Sequence, residues 1–98
     1  MFGLIGAIHT TESGRAEVVQ ALLASRGRMP GNLSYLVAED AADSTAIWVT
    51  EVWESEEAHA ASLHLPVVQE AISRARPHIT GMGQRVVTRP VGMTTNGQ

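Results

Sequence analysis

Residues 46–66 read AIWVTEVWESEEAHAASLHLP, a strand pattern that changes into a helical pattern near Ser55. The first part is rich in β-branched and aromatic side chains, which predicts a strand over 46–53. Side chains alternate between the two faces of a strand. One face therefore carries Ile47, Val49, Glu51 and Trp53, and the opposite face carries Trp48, Thr50 and Val52. Both faces are substantially apolar, so each needs a covering layer.

The segment before this stretch predicts a strand, a helix and a second strand. Residues 2–10 form a short apolar run that is typical of a strand. The hydroxyl of Ser13 is expected to cap the following helix, which ends near Gly27. The buried stripe of that helix is expected to be Ala16, Val19, Leu22 and Leu23. Residues 33–39 then predict the second strand.

The segment after Ser55 predicts two short helices and a last strand. Pro66 fits the first turn of the second helix, and Pro77 ends it. The inward stripe of that helix is expected to be Val68, Ala71, Ile72 and Ala75. Residues 82–89 predict the fourth strand. The order β-α-β-β-α-β is that of ferredoxin-like folds, so we predict an α+β protein with a four-stranded antiparallel sheet.

One face of this sheet has no predicted cover. Strand one also alternates, with Leu4 and Ile8 opposite Ile5 and Ala7. Two helical segments cover one face of a sheet, and a bare apolar face would be a large exposed patch. We therefore predict that the second face packs on the same face of another copy, as a two-fold homodimer.

Length and composition exclude several classes of protein. The chain has 98 residues, of which 44% are hydrophobic and 17% charged, as in one globular domain. We place that domain at 1–92 and a flexible C-terminal tail at 93–98. The sequence contains no cysteine and no lysine, so thiolate and Schiff-base chemistry are excluded.

A net charge of −3 gives no reason to expect nucleic acid or a membrane surface as partner. The apolar N-terminal run lacks basic residues and is too short for a bilayer, so a cytoplasmic protein is expected.

Several short blocks carry a resemblance to one known family. They are Ser13-Gly14-Arg15, Pro30-Gly31-Asn32-Leu33-Ser34-Tyr35, Glu51-Val52-Trp53-Glu54-Ser55, Glu57-Ala58-His59, Ser62-Leu63-His64-Leu65-Pro66 and Arg76-Pro77. With them the chain resembles, over about residues 1–92, the antibiotic biosynthesis monooxygenase family of dimeric α/β barrels, which includes proteins named as quinol monooxygenases. The resemblance implies a homodimer and an apolar cavity between sheet and helices. It also implies oxidation of a small phenolic or quinol-type aromatic substrate by O₂ without a cofactor.

The chain departs from the family pattern at Ser62, where many members carry a histidine. The haem-degrading branch typically uses Asn, Trp and His at the positions of Ala7, Ser62 and Ile72. None of the three is retained, so haem degradation is not expected. The four histidines also lack metal-ligand spacing, since His59 and His64 are five positions apart, and no metal site is predicted.

Two histidines are candidate catalytic bases. His59 and Ser62 lie one helical turn apart and share a face. If that face points inward, His59 takes the place of the missing family histidine, because imidazole is suited to accept a phenolic proton near neutral pH. His9 is the second candidate, since the resemblance implies that its face of strand one turns towards the cavity. Each histidine could instead be a partly buried or solvated side chain without a catalytic role.

The candidate substrate-binding residues are Trp53, Tyr35, Ser62, Glu51 and Arg85. Trp53 could form a flat wall against an aromatic ring or simply fill the core. Tyr35 could donate a hydrogen bond to a substrate oxygen. Glu51 needs a polar partner if it points inward, and Arg85 is one candidate, with a structural ion pair as its expected role.

Two other functions remain open on the sequence. Because Ser62 replaces the family histidine, the chain could be a small-ligand-binding or stress-associated dimeric barrel without catalysis. An isomerase of phosphorylated compounds would need a cationic site, which Arg85 and Arg89 could supply.

Overall fold

Four strands and three α-helices follow one another in the order β-α-β-β-α-α-β in a computed structural model that describes residues 1–94. The strands are β1 (Phe2–Thr10), β2 (Asn32–Glu39), β3 (Ala46–Trp53) and β4 (Ile79–Thr88). The helices are α1 (Arg15–Ala24), α2 (Glu56–Ser62) and α3 (Pro66–Ala75), and a 3₁₀ turn over Arg76–His78 joins α3 to β4. The predicted tail at 93–98 lies mostly outside the described residues.

The strands form one antiparallel sheet in the order β2-β3-β1-β4. This arrangement confirms the predicted α+β, ferredoxin-like fold with a four-stranded sheet. Strand β4 begins earlier than the predicted start at Met82, because Ile79 already pairs with Thr10 of β1. No helix within residues 1–94 is both long and apolar enough to cross a membrane.

The core lies between the sheet and the helices. Ile47 and Val49 of β3 are buried there against Val18 and Ala21 of α1 and Ala75 of α3. Because Ile8 pairs with Ile47 in the sheet register, the even-numbered residues of β1 share this inner face. The inner face of the sheet is thus the one that carries Glu51 and Trp53 further along β3.

Helix α1 buries a different face from the predicted one. Val18 and Ala21 are fully buried, whereas Ala16, which the predicted stripe included, is exposed. Val19 and Leu22 pack partly against the core. The prediction was wrong at Ala16 because α1 is apolar around most of its circumference, so spacing alone does not select one stripe.

Ser13 does not cap α1, contrary to the prediction. Gly14 occupies the N-cap position, and no side chain caps the helix there. The Gly14 N–H donates instead to the Thr11 hydroxyl at 3.0 Å. The segment before α1 contains several polar residues that could each have capped it, and the chain turns one residue later than expected.

Two glycines with left-handed backbone conformation shape the connection between α1 and β2. The φ angles are +74° at Gly27 and +82° at Gly31. The Gly31 carbonyl accepts a hydrogen bond from the Glu54 N–H at 2.8 Å. A Cβ at position 31 would lie 2.7 Å from the Cβ of Ala58 in α2. This turn therefore ties the start of β2 to the start of α2.

The sheet face opposite the helices, here called the outer face, is uncovered and largely apolar. Leu36 is 58% exposed and Val86 is 40% exposed, and Ile5 between them is partly buried. The Trp48 indole on this face donates to the Asp40 carboxylate at 2.8 Å. That bond, with two backbone N–H groups, lowers the pKa of Asp40. The homodimer across the outer face remains a prediction.

Candidate functional site

A two-lobed, mostly apolar cavity lies between the inner face of the sheet and the helices. The larger lobe has a volume of about 350 Å³ and the smaller one about 280 Å³. The predicted inward stripe of α3 lines the smaller lobe. Both lobes are lined by Ile8, Leu22, Tyr35, Glu51, His59 and Met82. Because these side chains are shared, the lobes form one site with its polar groups at the junction.

Helix α2 positions His59 at this junction. Ser55 caps the helix, since its hydroxyl accepts the Ala58 N–H at 3.0 Å. The imidazole packs between two aromatic rings. Its centroid lies 5.6 Å from that of Phe2, and 5.4 Å from that of Trp53 in an edge-on arrangement. His59 therefore borders both lobes, which is the inward arrangement that its proposed role as a base requires.

Trp53 orients Glu51 at the end of β3. Trp53 is only 1% exposed, and its indole N–H donates to Oε1 of Glu51 at 3.0 Å. The two residues are two positions apart on one strand, so their side chains leave the same face. Glu51 thereby gains a polar partner without using a charged one.

Arg85 does not form the predicted ion pair with Glu51. Its side chain is exposed and lines the larger lobe only. The ion pairs formed within residues 1–94 are Arg15–Glu39 and Arg74–Glu17. The partner that Glu51 has in the structure is instead the Trp53 N–H on the same strand.

Tyr35 faces the cavity from β2, directly across from Glu51 in the sheet register. Burial raises the pKa of the Tyr35 phenol well above its usual range, and the negative charge of Glu51 raises it further. The hydroxyl therefore stays protonated throughout the neutral range. It is a hydrogen-bond donor to whatever occupies the site.

Ser62 lines the smaller lobe but has a structural partner. The side chain is 3% exposed, and its hydroxyl donates to the backbone carbonyl of His59 at 2.6 Å. Because the hydroxyl proton is used inside α2, Ser62 presents mainly its oxygen lone pairs to the cavity. Its position beside His59 agrees with the shared helical face expected from the sequence.

His9 does not reach the cavity. Ile8 faces inward, so its neighbour His9 points to the outer face, where it pairs with Ala46 of β3. Neither lobe is lined by His9. The imidazole instead packs over Gly83, where an added Cβ would lie 2.6 Å from Nε2. Ile5 and Ala7 of the same face do border the larger lobe, so His9, at the end of β1, is the member of this face that lies away from it.

The sequence patterns did not indicate two residues of this region. Phe2 packs against the His59 ring but lines neither lobe, and Met82 borders both lobes although it is 72% exposed. The alternation of β1 contained a usable signal, since Phe2 lies on the same face as Leu4 and Ile8. Met82 had no such signal, because the pairing of β4 with β1 is irregular there. Across residues 1–94, no three His, Asp or Glu side chains come close enough to hold a metal ion.

Comparison with known proteins gives one family and a common fold. A sequence model of the antibiotic biosynthesis monooxygenase family matches residues 1–74. A solved structure from Chloroflexus aurantiacus J-10-fl, provisionally named an antibiotic biosynthesis monooxygenase, is 46% identical, with 98% of each chain covered and a TM-score of 0.91. A protein of Deinococcus radiodurans with the same provisional name is 25% identical, covering 100% of this chain and 99% of that one, with a TM-score of 0.73. A structure from Nitrosomonas europaea shows the shared fold alone, because its sequence is only 17% identical. Its TM-score is 0.79, and the match covers 94% of this chain and 100% of that one. No curated protein is detectably similar to the sequence.

Proposed function

Because the chain belongs to the antibiotic biosynthesis monooxygenase family, we propose that it is a cofactor-independent monooxygenase that oxidises a small aromatic or quinol-type substrate with O₂. The observation that carries the proposal is convergence: His59, Glu51 and Tyr35 meet at the junction of one apolar cavity, with Trp53 as its wall. A site with a few polar groups in an apolar cavity suits a flat hydroxylated ring.

In this proposal His59 acts as the general base. A neutral imidazole accepts the phenolic proton near neutral pH, which leaves an electron-rich substrate anion. The anion reduces O₂ directly. For a phenol with a free para position, substrate and O₂ give a quinone and water, so the substrate supplies all the electrons. One oxygen atom enters the ring and the other leaves in the water.

The remaining cavity residues would orient the ring and exclude water. Trp53 is almost fully buried, so it would hold Glu51 through its hydrogen bond and His59 through their edge-on contact rather than touch the ring itself. The protonated Tyr35 hydroxyl can donate to a substrate oxygen. Fixing the ring near the base in this way supplies part of the rate enhancement through positioning.

Oxygen uptake with a panel of naphthols and hydroquinones tests this proposal. We expect His59→Ala to lower kcat/KM at least about 10²-fold, the usual contribution of a general base. The matched control is His64→Ala, because His64 is exposed and borders neither lobe. His9→Ala should also leave the rate unchanged. A His59→Ala variant that consumes O₂ with the same kcat/KM as the wild type would contradict the mechanism.

A second candidate function is ligand binding without catalysis. The observation that favours it is Ser62, which stands where many family members carry a histidine and whose hydroxyl proton is bound to the His59 carbonyl. Calorimetric binding of an aromatic ligand with no oxygen uptake, in wild type as in His59→Ala, would support this function over the enzyme.

We also propose that the protein assembles as a homodimer through the outer face. Support comes from the position of the helices on the inner face and from exposed Leu36 and Val86 on the outer one. Sedimentation of the wild type at micromolar concentration should give a dimer. Leu36→Asp should shift it to a monomer, while Ala24→Asp, on an exposed position of α1, should not. A monomeric wild type would remove this proposal.

A further inference from the structure

Resting on the proposed function, we infer that Glu51, oriented by Trp53, makes the cavity selective for uncharged hydroxyaromatic ligands over carboxylated ones of the same shape. Glu51 is the only acidic side chain among the described residues that line either lobe. It borders both lobes, so a ligand in either part of the cavity meets it.

The hydrogen bond from Trp53 determines which part of Glu51 a ligand meets. The indole N–H occupies Oε1, and none of the described residues donates to Oε2. Oε2 is therefore open to a donor on the ligand. A hydroxyl that donates to a carboxylate forms a charge-assisted hydrogen bond, which is stronger than a neutral one. A phenol or quinol supplies such a donor, whereas an ionised carboxylate supplies none.

The surroundings strengthen the discrimination against anions. The lobes are mostly apolar, so the negative charge of Glu51 acts through a medium less screening than bulk water. Glu51 already acts in this way on Tyr35, since its negative charge disfavours the ionised phenolate and so raises the pKa of Tyr35 beyond the effect of burial.

Arg85 is the only arginine among the described lining residues, and it opposes this selectivity only weakly. Its side chain is exposed and borders only the larger lobe. Water and salt screen an exposed charge far more than one inside an apolar cavity. The carboxylate at the junction therefore dominates the preference.

The test compares three ligands with one hydroxynaphthalene ring system: 2-naphthol, 6-hydroxy-2-naphthoate and its methyl ester. The ester is larger than the acid by one methyl group and carries no charge. Anaerobic calorimetry at pH 7.5 measures Kd without turnover. We expect the wild type to bind the ester at least about tenfold more tightly than the acid, as one repulsive charge pair at moderate effective dielectric predicts. Glu51→Gln, which still accepts the Trp53 N–H, should reduce that ratio to about threefold or less by improving acid binding.

Arg85→Gln is the matched control and should change the ratio less than about twofold, as expected for a screened charge. Thermal denaturation of each variant verifies that it is folded. Equal ester and acid affinity in the wild type, a ratio unchanged in Glu51→Gln, or a ratio governed by Arg85→Gln would each overturn the inference, as would failure of all three ligands to bind. Equal affinities in a protein that still consumes O₂ would leave the proposed function intact. Charge selectivity without O₂ uptake would support the inference and contradict the enzyme.

Discussion

Replacement of Gly31 by alanine should destabilise the protein more than the same change at Gly27. Both glycines have left-handed φ angles, +82° and +74°, so both variants carry a similar backbone penalty of about 1–2 kcal/mol. Alanine also lowers the conformational entropy of the unfolded chain, which stabilises both variants by about 0.4–1 kcal/mol. These contributions cancel when the two variants are compared.

The difference between the variants comes from packing. A Cβ at position 31 would lie 2.7 Å from the Ala58 Cβ, whereas nothing lies within 4 Å of a Cβ at position 27. Carbon atoms in contact normally lie about 3.5–4.0 Å apart, so α2 or the turn before β2 must move. Accommodating extra carbon in a packed site costs about 1–3 kcal/mol. Gly31→Ala should therefore lower the free energy of unfolding by about 1–3 kcal/mol more than Gly27→Ala does.

Urea unfolding at one fixed protein concentration measures this difference, since self-association would otherwise change the apparent stability. A difference of 1 kcal/mol corresponds to about 4–8 °C in the melting temperature of a domain of this size. Ala58 precedes His59, so displacement of α2 should also weaken ligand binding in Gly31→Ala and not in Gly27→Ala. Equal free energies of unfolding for the two variants would refute the reasoning.

Two further predictions concern a helix cap and an ionisable group. Ser55→Ala should lower the free energy of unfolding by about 1 kcal/mol, because the Ala58 N–H loses its acceptor. Ser13→Ala should leave it nearly unchanged, and an equal loss in both variants would contradict the assigned caps. Because burial and then Glu51 raise the pKa of Tyr35, the folded protein keeps the phenolic proton to higher pH than the unfolded chain. Stability should therefore fall as pH rises above about 10, the usual tyrosine value, and Tyr35→Phe should abolish the fall. The chain has one tyrosine and no lysine or cysteine, so urea unfolding between pH 9 and 11 reports on this group with little interference; an unchanged pH profile in the variant would count against the assignment.

Patterns along the chain predicted the fold better than they predicted the site. Strand β3 has the predicted ends because its β-branched and aromatic run is flanked by polar residues. Helix α1 offered two plausible apolar faces, and contact with β3 selected the one through Val18 and Ala21. The partner of Glu51 depends on side-chain rotamers of one strand, which alternation does not specify.

The two histidine predictions differ for a similar reason. Helical spacing placed His59 and Ser62 on one face of α2, a local property, but did not say whether that face points inward. The orientation of His9 required knowing which face of β1 meets the helices, and only the pairing of Ile8 with Ile47 determines that. Long-range register is thus the information that a single sequence lacked here.

The two tryptophans can be used as separate fluorescence reporters. The sequence contains two tryptophans, and each donates to a carboxylate on a different face of the same strand: Trp53 to Glu51 inside the cavity, and Trp48 to Asp40 on the outer face. Emission from a Trp48→Phe variant would come from the cavity alone, and emission from a Trp53→Phe variant from the outer face alone. The chain therefore carries one native fluorophore that reports on occupancy of the cavity and another that reports on contacts made by the outer face, without any attached dye.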